Sequence, residues 1–167
     1  MLAKHKDQRV AVLIDVQNMY HSAKNIYHAK ANFAKILETA ISDRKLIRAF
    51  AYVVKTKTGE EKPFFDALIN LGIETRVRDL QEFYGGMKKA DWDVGISIDA
   101  VKTAPGVDVI VLVSGDGDFI QLVEYLKNQG KRAEVMAFGK STSSRLKEVA
   151  DEFIDLGASP QQYLLKK

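Results

Sequence analysis

The sequence contains no cysteine. That excludes disulfide staples and thiolate zinc sites, and it fits a reducing compartment, so a cytoplasmic location is expected. No long hydrophobic run is present: the first apolar stretch, near the amino terminus, is short and broken by Asp15. It reads as neither a signal peptide nor a membrane span. There is no internal repeat and no low-complexity linker. Histidine is scarce, and His5, His21 and His28 lie in no motif; they read as ordinary solvent-facing side chains. What remains is a chain of 167 residues, 46% apolar and 28% charged, the size and composition of one soluble domain with a full core.

The order of elements reads β-α-α-β-α-β-α-β-α-β-α. Val10 to Asp15 is a short buried strand. Phe33, Ile36, Leu37, Ala40 and Ile41 then repeat with the stripe of an amphipathic helix. Leu46 to Val54 reads as a second strand. Pro63 suits the first turn of the next helix, and Gly72 suits the position just past its end. Ile73 to Arg78 is a third strand. In the segment 91–103, Val94, Ile96 and Ile98 alternate like a strand, while Val94, Ile98 and Val101 form the stripe of a helix; a parallel sheet needs a crossover there, which predicts a helix. Val109 to Val113 and Arg132 to Phe138 complete the strands. An amphipathic helix through Phe119, Ile120, Val123 and Leu126 lies between them, and Ser141 to Ser144 caps a last helix. Such alternation predicts an α/β fold with a mostly parallel sheet covered on both faces.

The chemistry collects where two strands end. Val10–Ile14 runs into Asp15-Val16-Gln17-Asn18, and Val109–Val113 runs into Ser114-Gly115-Asp116-Gly117-Asp118-Phe119. Carboxylates at the carboxyl ends of neighbouring parallel strands share one crevice. Several anions in one place are unfavourable without a cation, so the pattern asks for a divalent metal. The same rim would carry Lys55, Lys57, Lys88, Lys89 and Lys140. The chain has a net charge of +3 and a pI near 9.0. A basic body around an acidic centre suits a phosphodiester substrate, with carboxylates for metal and ammonium groups for phosphates. Asp15 and Asp116 also suit helix N-caps, but one helix start does not need Asp118 as well. Trp92 suits either stacking on a base or packing, Tyr84-Gly85-Gly86 either a loop tip or a plain turn, and Lys88-Lys89 either a phosphate clamp or a solvated pair.

At these residues the chain resembles the NYN domain family, a branch of the PIN-like metal-dependent ribonucleases, and more narrowly its LabA-like members. The matching pieces are Ile14-Asp15-Val16-Gln17-Asn18, Lys89-Ala90-Asp91-Trp92-Asp93-Val94 and Ser114-Gly115-Asp116-Gly117-Asp118-Phe119. They fall in the family's order over a core of about 8–156, which leaves about 157–167 of a single 1–167 domain as a tail. The resemblance implies a Rossmann-like three-layer α/β/α PIN-like domain with a mostly parallel sheet of about five or six strands. It also implies an acidic site for Mg²⁺ or Mn²⁺ and hydrolysis of RNA. Carried over, Asp15, Asp93, Asp116 and Asp118 become metal ligands and catalytic residues. Asn18 becomes an orienting catalytic residue, Ser114 a supporting group, and Asp99, a further acidic position on the middle helix, a metal ligand of second rank. Where family members often place Gly-Val before the middle aspartate, this chain has Asp91-Trp92.

RNA is the expected partner, and a homodimer or a protein partner is left open. A competing reading from another class is an RNA-binding or regulatory module that keeps the acidic pocket with little catalysis. The presence of all four acidic positions favours the nuclease. A haloacid-dehalogenase-type phosphatase would need a second acid two residues after Asp15, where the chain has Gln17.

Overall fold

Five consecutive apolar residues, Val109–Val113, are all buried, which a strand achieves only with helices on both of its faces. In the computed structural model, which describes residues 3–82, 88–89 and 91–165, this strand (β6) lies beside β1 (Arg9–Asp15) at the centre of the sheet. β2 (Lys45–Lys55) and then β3 (Glu74–Asp79) extend the sheet beyond β1. β7 (Arg132–Ala137) and β8 (Glu152–Asp155) extend it beyond β6. The order is β3-β2-β1-β6-β7-β8, and every neighbouring pair is parallel. The expected α/β architecture is therefore present, with a sheet that is wholly rather than mostly parallel. A separate two-stranded antiparallel hairpin, β4 (Gln81–Glu82) with β5 (Lys88–Lys89), follows β3.

Alternation along β1 sorts the core into two layers. Val10, Val12 and Ile14 pack with α1 (Val16–Tyr27), α2 (Phe33–Ile41) and α3 (Lys62–Asn70). Ala11 and Leu13 pack on the other side with α4 (Asp93–Thr103), α5 (Ile120–Asn128) and α6 (Ser144–Val149). Strand side chains alternate between faces with period two, so each β1 residue feeds one layer only. Pro63 lies in the first turn of α3, and Gly72, at φ +85°, follows that helix in the left-handed region that glycine reaches without penalty. Ser143 caps α6 by accepting from the Leu146 N–H at 3.3 Å.

Segment 91–103 is helical from Asp93, as the crossover argument requires, although not on the face expected. Ile96 and Ala100 are the buried residues of α4, while Val94 (72% exposed) and Ile98 (52%) point to solvent. Beyond α6 the chain adds β8 and then α7 (Pro160–Tyr163). Residues expected as a tail are folded against α2: Tyr163 is buried, and its hydroxyl lies 3.1 Å from the Thr39 hydroxyl.

The amino-terminal end of the sheet holds a buried ion network. Arg44 donates to both oxygens of Glu134, at 2.8 and 2.9 Å, and both side chains are fully enclosed. Arg132 donates to Glu134 at 2.7 Å and to Glu152 at 2.8 Å. Burial works against the Glu134 carboxylate, but Arg44 and Arg132 hold it below the usual range. Among the described residues, no helix is long and apolar enough to cross a membrane.

Candidate functional site

From β1 the chain runs outward to β2, and from β6 it runs the other way to β7. The gap between their carboxyl ends is the topological switch point, where open α/β sheets form their ligand crevice. Asp15 closes β1 and caps α1: its Oδ1 accepts from the Asn18 N–H at 3.2 Å. Its Oδ2 accepts from the Ser114 hydroxyl at 2.9 Å. Ser114 is fully buried, and its Oγ also accepts from the Asp116 N–H at 3.2 Å. Asn18 Oδ1 accepts from the Gly115 N–H at 2.9 Å. These bonds lock the start of α1 to the loop after β6. Gly115 is required by close approach, since a Cβ there would lie 2.6 Å from Thr142 Oγ1.

Asp116 caps the short 3₁₀ turn Gly117–Phe119, accepting from the Asp118 N–H at 2.9 Å. The capping roles open for Asp15 and Asp116 are thus both realised. Asp93 enters from a third direction, as the first residue of α4, with its N–H donating to Asp91 Oδ1 at 2.7 Å. Carboxylate oxygens of Asp93, Asp116 and Asp118 all lie within 4.8 Å of one another. Desolvation first, then a hydrogen bond with Asp91, the charges of Asp116 and Asp91 and a hydrogen bond with Asp118, push the Asp93 carboxyl up to about 8. Burial likewise raises Asp15. The bonds from Asn18 and Ser114 oppose that rise, and the charges of Asp116 and Asp91 add to it. A group of carboxylates that must keep a proton near neutral pH is short of a cation. The donors are all oxygens, which suits a hard ion such as Mg²⁺ or Mn²⁺. On donor chemistry and convergence, the residues fit a divalent metal.

The remaining sequence candidates fall in different places. Asp99 is not in the cluster: its Oδ2 accepts from the Tyr52 hydroxyl at 2.8 Å and pairs with Arg76 Nε at 2.7 Å. Lys55, the last residue of β2, and Lys57 just beyond it are exposed at the same rim, as is Lys140 in the turn after β7. Lys88 and Lys89 form β5, but their side chains lie outside the described residues, as do Tyr84, Gly85 and Gly86. His5, His21 and His28 are exposed. Trp92 is held in place by the fold: its indole N–H donates to the Val53 carbonyl at 3.0 Å, its ring lies 5.4 Å from Tyr52, and the Arg78 guanidinium covers it at 4.2 Å.

Sequence reasoning overlooked Asp91 as a contributor to the local field. The signal was there, because Asp91 and Asp93 repeat the i, i+2 spacing of Asp116 and Asp118. It also overlooked Tyr52, Arg76 and Arg78, which no local pattern connects to the site.

A family model described as the NYN domain matches residues 9–157. The chain is 28% identical over 158 residues to the low amplitude and bright protein LabA of Synechococcus elongatus, covering 90% of this chain and 85% of that one. It is 26% identical over 153 residues to an uncharacterised protein of Methanocaldococcus jannaschii, covering 90% of this chain and 56% of the other. A crystal structure of a Vibrio parahaemolyticus protein of unknown function superposes with a TM-score of 0.87 at 31% identity, covering 98% of this chain and all of that one.

Proposed function

The chain belongs to the NYN domain family, and from that premise we propose that it is a metal-dependent ribonuclease working at the carboxyl rim of the sheet. The observation that carries this reading is the convergence of Asp93, Asp116 and Asp118, brought by two separate segments to within 4.8 Å. In the proposal these three carboxylates and Asp15 hold Mg²⁺ or Mn²⁺. A bound divalent ion supplies charge neutralisation for the phosphodiester and activation of the attacking water.

The chain's own residues supply the rest. Ser114 and the Asn18 N–H fix the two oxygens of Asp15. Asn18 keeps the loop carrying Asp116 and Asp118 in register with α1. With a cation bound, Asp93 would release its proton to solvent, since the cation would replace that proton as its neutralising partner. Lys55, Lys57 and Lys140 stand on the same rim and meet the phosphates on either side of the scissile bond, with Lys88 and Lys89 extending that contact. No histidine takes part. The enzyme acts on RNA in a reducing, cytoplasmic setting, in keeping with its lack of cysteine.

Cleavage of end-labelled single-stranded RNA tests the reading. Wild type with Mn²⁺ should cut; EDTA or Asp116→Asn should abolish cutting without lowering the thermal midpoint. RNA retained but never cut, by a protein that still binds Mn²⁺, would replace the nuclease with a binding module.

A further inference from the structure

Asp99 lies six residues after Asp93 on α4, about 9 Å along the helix and about 120° around it. Its side chain is 15% exposed and faces β2 and β3 rather than the carboxylate cluster. One oxygen, Oδ2, takes both the Tyr52 hydroxyl at 2.8 Å and Arg76 Nε at 2.7 Å. Tyr52 is fully buried on β2 and in register with Asp15 on β1. Arg76 is on β3, directly across from Tyr52. At the start of the helix, the Trp92 indole N–H donates to the Val53 carbonyl, its ring lies 5.4 Å from the Tyr52 ring at an interplanar angle of 58°, and Arg78 on β3 donates to the Asp91 carbonyl. α4 is thereby pinned to the same two strands at both ends of its first two turns. Two fixed points on a helix set its rotation and its position along its axis together.

We propose that Asp99 is a positioning residue, which through Tyr52 and Arg76 fixes α4 on the sheet and so holds Asp93 and the Trp92 anchor in place. The part concerning metal affinity rests on the nuclease reading above; the part concerning Trp92 does not. Residues that orient metal-binding side chains from behind influence affinity without adding a ligand. The carboxylate is used here as an acceptor, and an amide oxygen can take over part of that role. A direct ligand would behave differently, since both amide and methyl substitutions remove its charge.

The test compares wild type, Asp99→Ala, Asp99→Asn and Tyr52→Phe in two measurements. Trp92 is the chain's sole tryptophan, so its emission in EDTA reports on the anchor alone. Mn²⁺ titration followed by electron paramagnetic resonance gives affinity and stoichiometry. Asp99→Ala should move Trp92 emission to longer wavelength and weaken Mn²⁺ binding by about 10–100-fold with stoichiometry unchanged. Asp99→Asn should stay near wild type in both, and Tyr52→Phe should fall between. Loss of one Mn²⁺ equivalent in Asp99→Ala and Asp99→Asn alike would overturn the proposal in favour of a ligand. Unchanged emission and affinity in Asp99→Ala would overturn it outright. If Asp99→Ala does not fold, the pair Asp99→Asn and Tyr52→Phe decides: emission and affinity lowered in Tyr52→Phe but kept in Asp99→Asn support the proposal, and any other pattern overturns it. A wild type that binds no Mn²⁺ would remove the metal reading, while the emission series in EDTA would still uphold or overturn the brace.

Discussion

The metal-free protein should lose stability as pH rises from about 4 to about 8, and Asp93→Asn should flatten that loss. In the folded chain the Asp93 carboxyl sits at about 8 against an ordinary value of 3.8, first through desolvation and then through its acidic neighbours. Below the ordinary value both folded and unfolded chains carry the proton, and the fold pays no penalty. Between the two values the unfolded chain releases the proton and the folded chain keeps it, so stability declines until the folded value is passed. Each pH unit in that window is worth at most about 1.4 kcal/mol. Asp93 is only half-buried, and solvent screening reduces the total to about 1–2 kcal/mol. In a domain of this size that corresponds to a midpoint change of about 2–8 °C. Thermal melts in EDTA from about pH 3.5 to about 8.5 measure it directly. The variant should match wild type at the acid end and melt higher at the alkaline end. Saturating Mn²⁺ should reverse the wild-type slope, because metal binds the ionised form. Parallel profiles for the two proteins would refute the argument, since they would show that Asp93 feels no crowding.

Three further perturbations probe other parts of the molecule. Glu134→Ala leaves Arg44 enclosed without its partner and should cost about 3–5 kcal/mol in urea unfolding; a loss below about 1 kcal/mol would show that water relieves the charge. Gly95→Ala places a Cβ 2.6 Å from Trp92 Cε3 and should cost about 1–3 kcal/mol with a red-shifted tryptophan emission; an unshifted spectrum would mean that the backbone yields instead. Replacing Lys55, Lys57 and Lys140 together by alanine should weaken RNA binding and flatten its dependence on log salt by about 0.7 per lysine, and an unchanged slope would remove them from phosphate contact.

How much of this was legible beforehand depended on how local each signal was. The central strands declared themselves because a strand buried on both faces has no polar positions, as in Val109–Val113. Aspartates at their ends were equally plain, since topology alone brings strand ends together. Asp93 was reached through the family resemblance, because the i, i+2 spacing of Asp91 and Asp93 in its own segment went unused. The hairpin of β4 and β5 escaped notice: two residues per strand carry no periodicity to read. In α4 the crossover argument reached the right helix, but Val94, Ile98 and Val101, which carry its helical periodicity, face water; periodicity marks a face but does not say which way it points. Arg44 and Glu134 are 90 positions apart, and only tertiary structure pairs them. Gly95 carries no signal in the sequence pattern, yet its missing side chain is where the Trp92 ring rests.

The double bonding of Asp15 has a chemical consequence. Its Oδ1 secures the start of α1 and its Oδ2 secures Ser114, and asparagine retains an oxygen and is as good a helix cap as aspartate. Exchanging a single atom type therefore strips the site of an anion while leaving the scaffold's first turn intact. If the site is the proposed nuclease centre, that step removes an anion from it without unfolding the chain. An intact fold around Asp15 is therefore no witness to activity, because the scaffold and the charge at that position are separable.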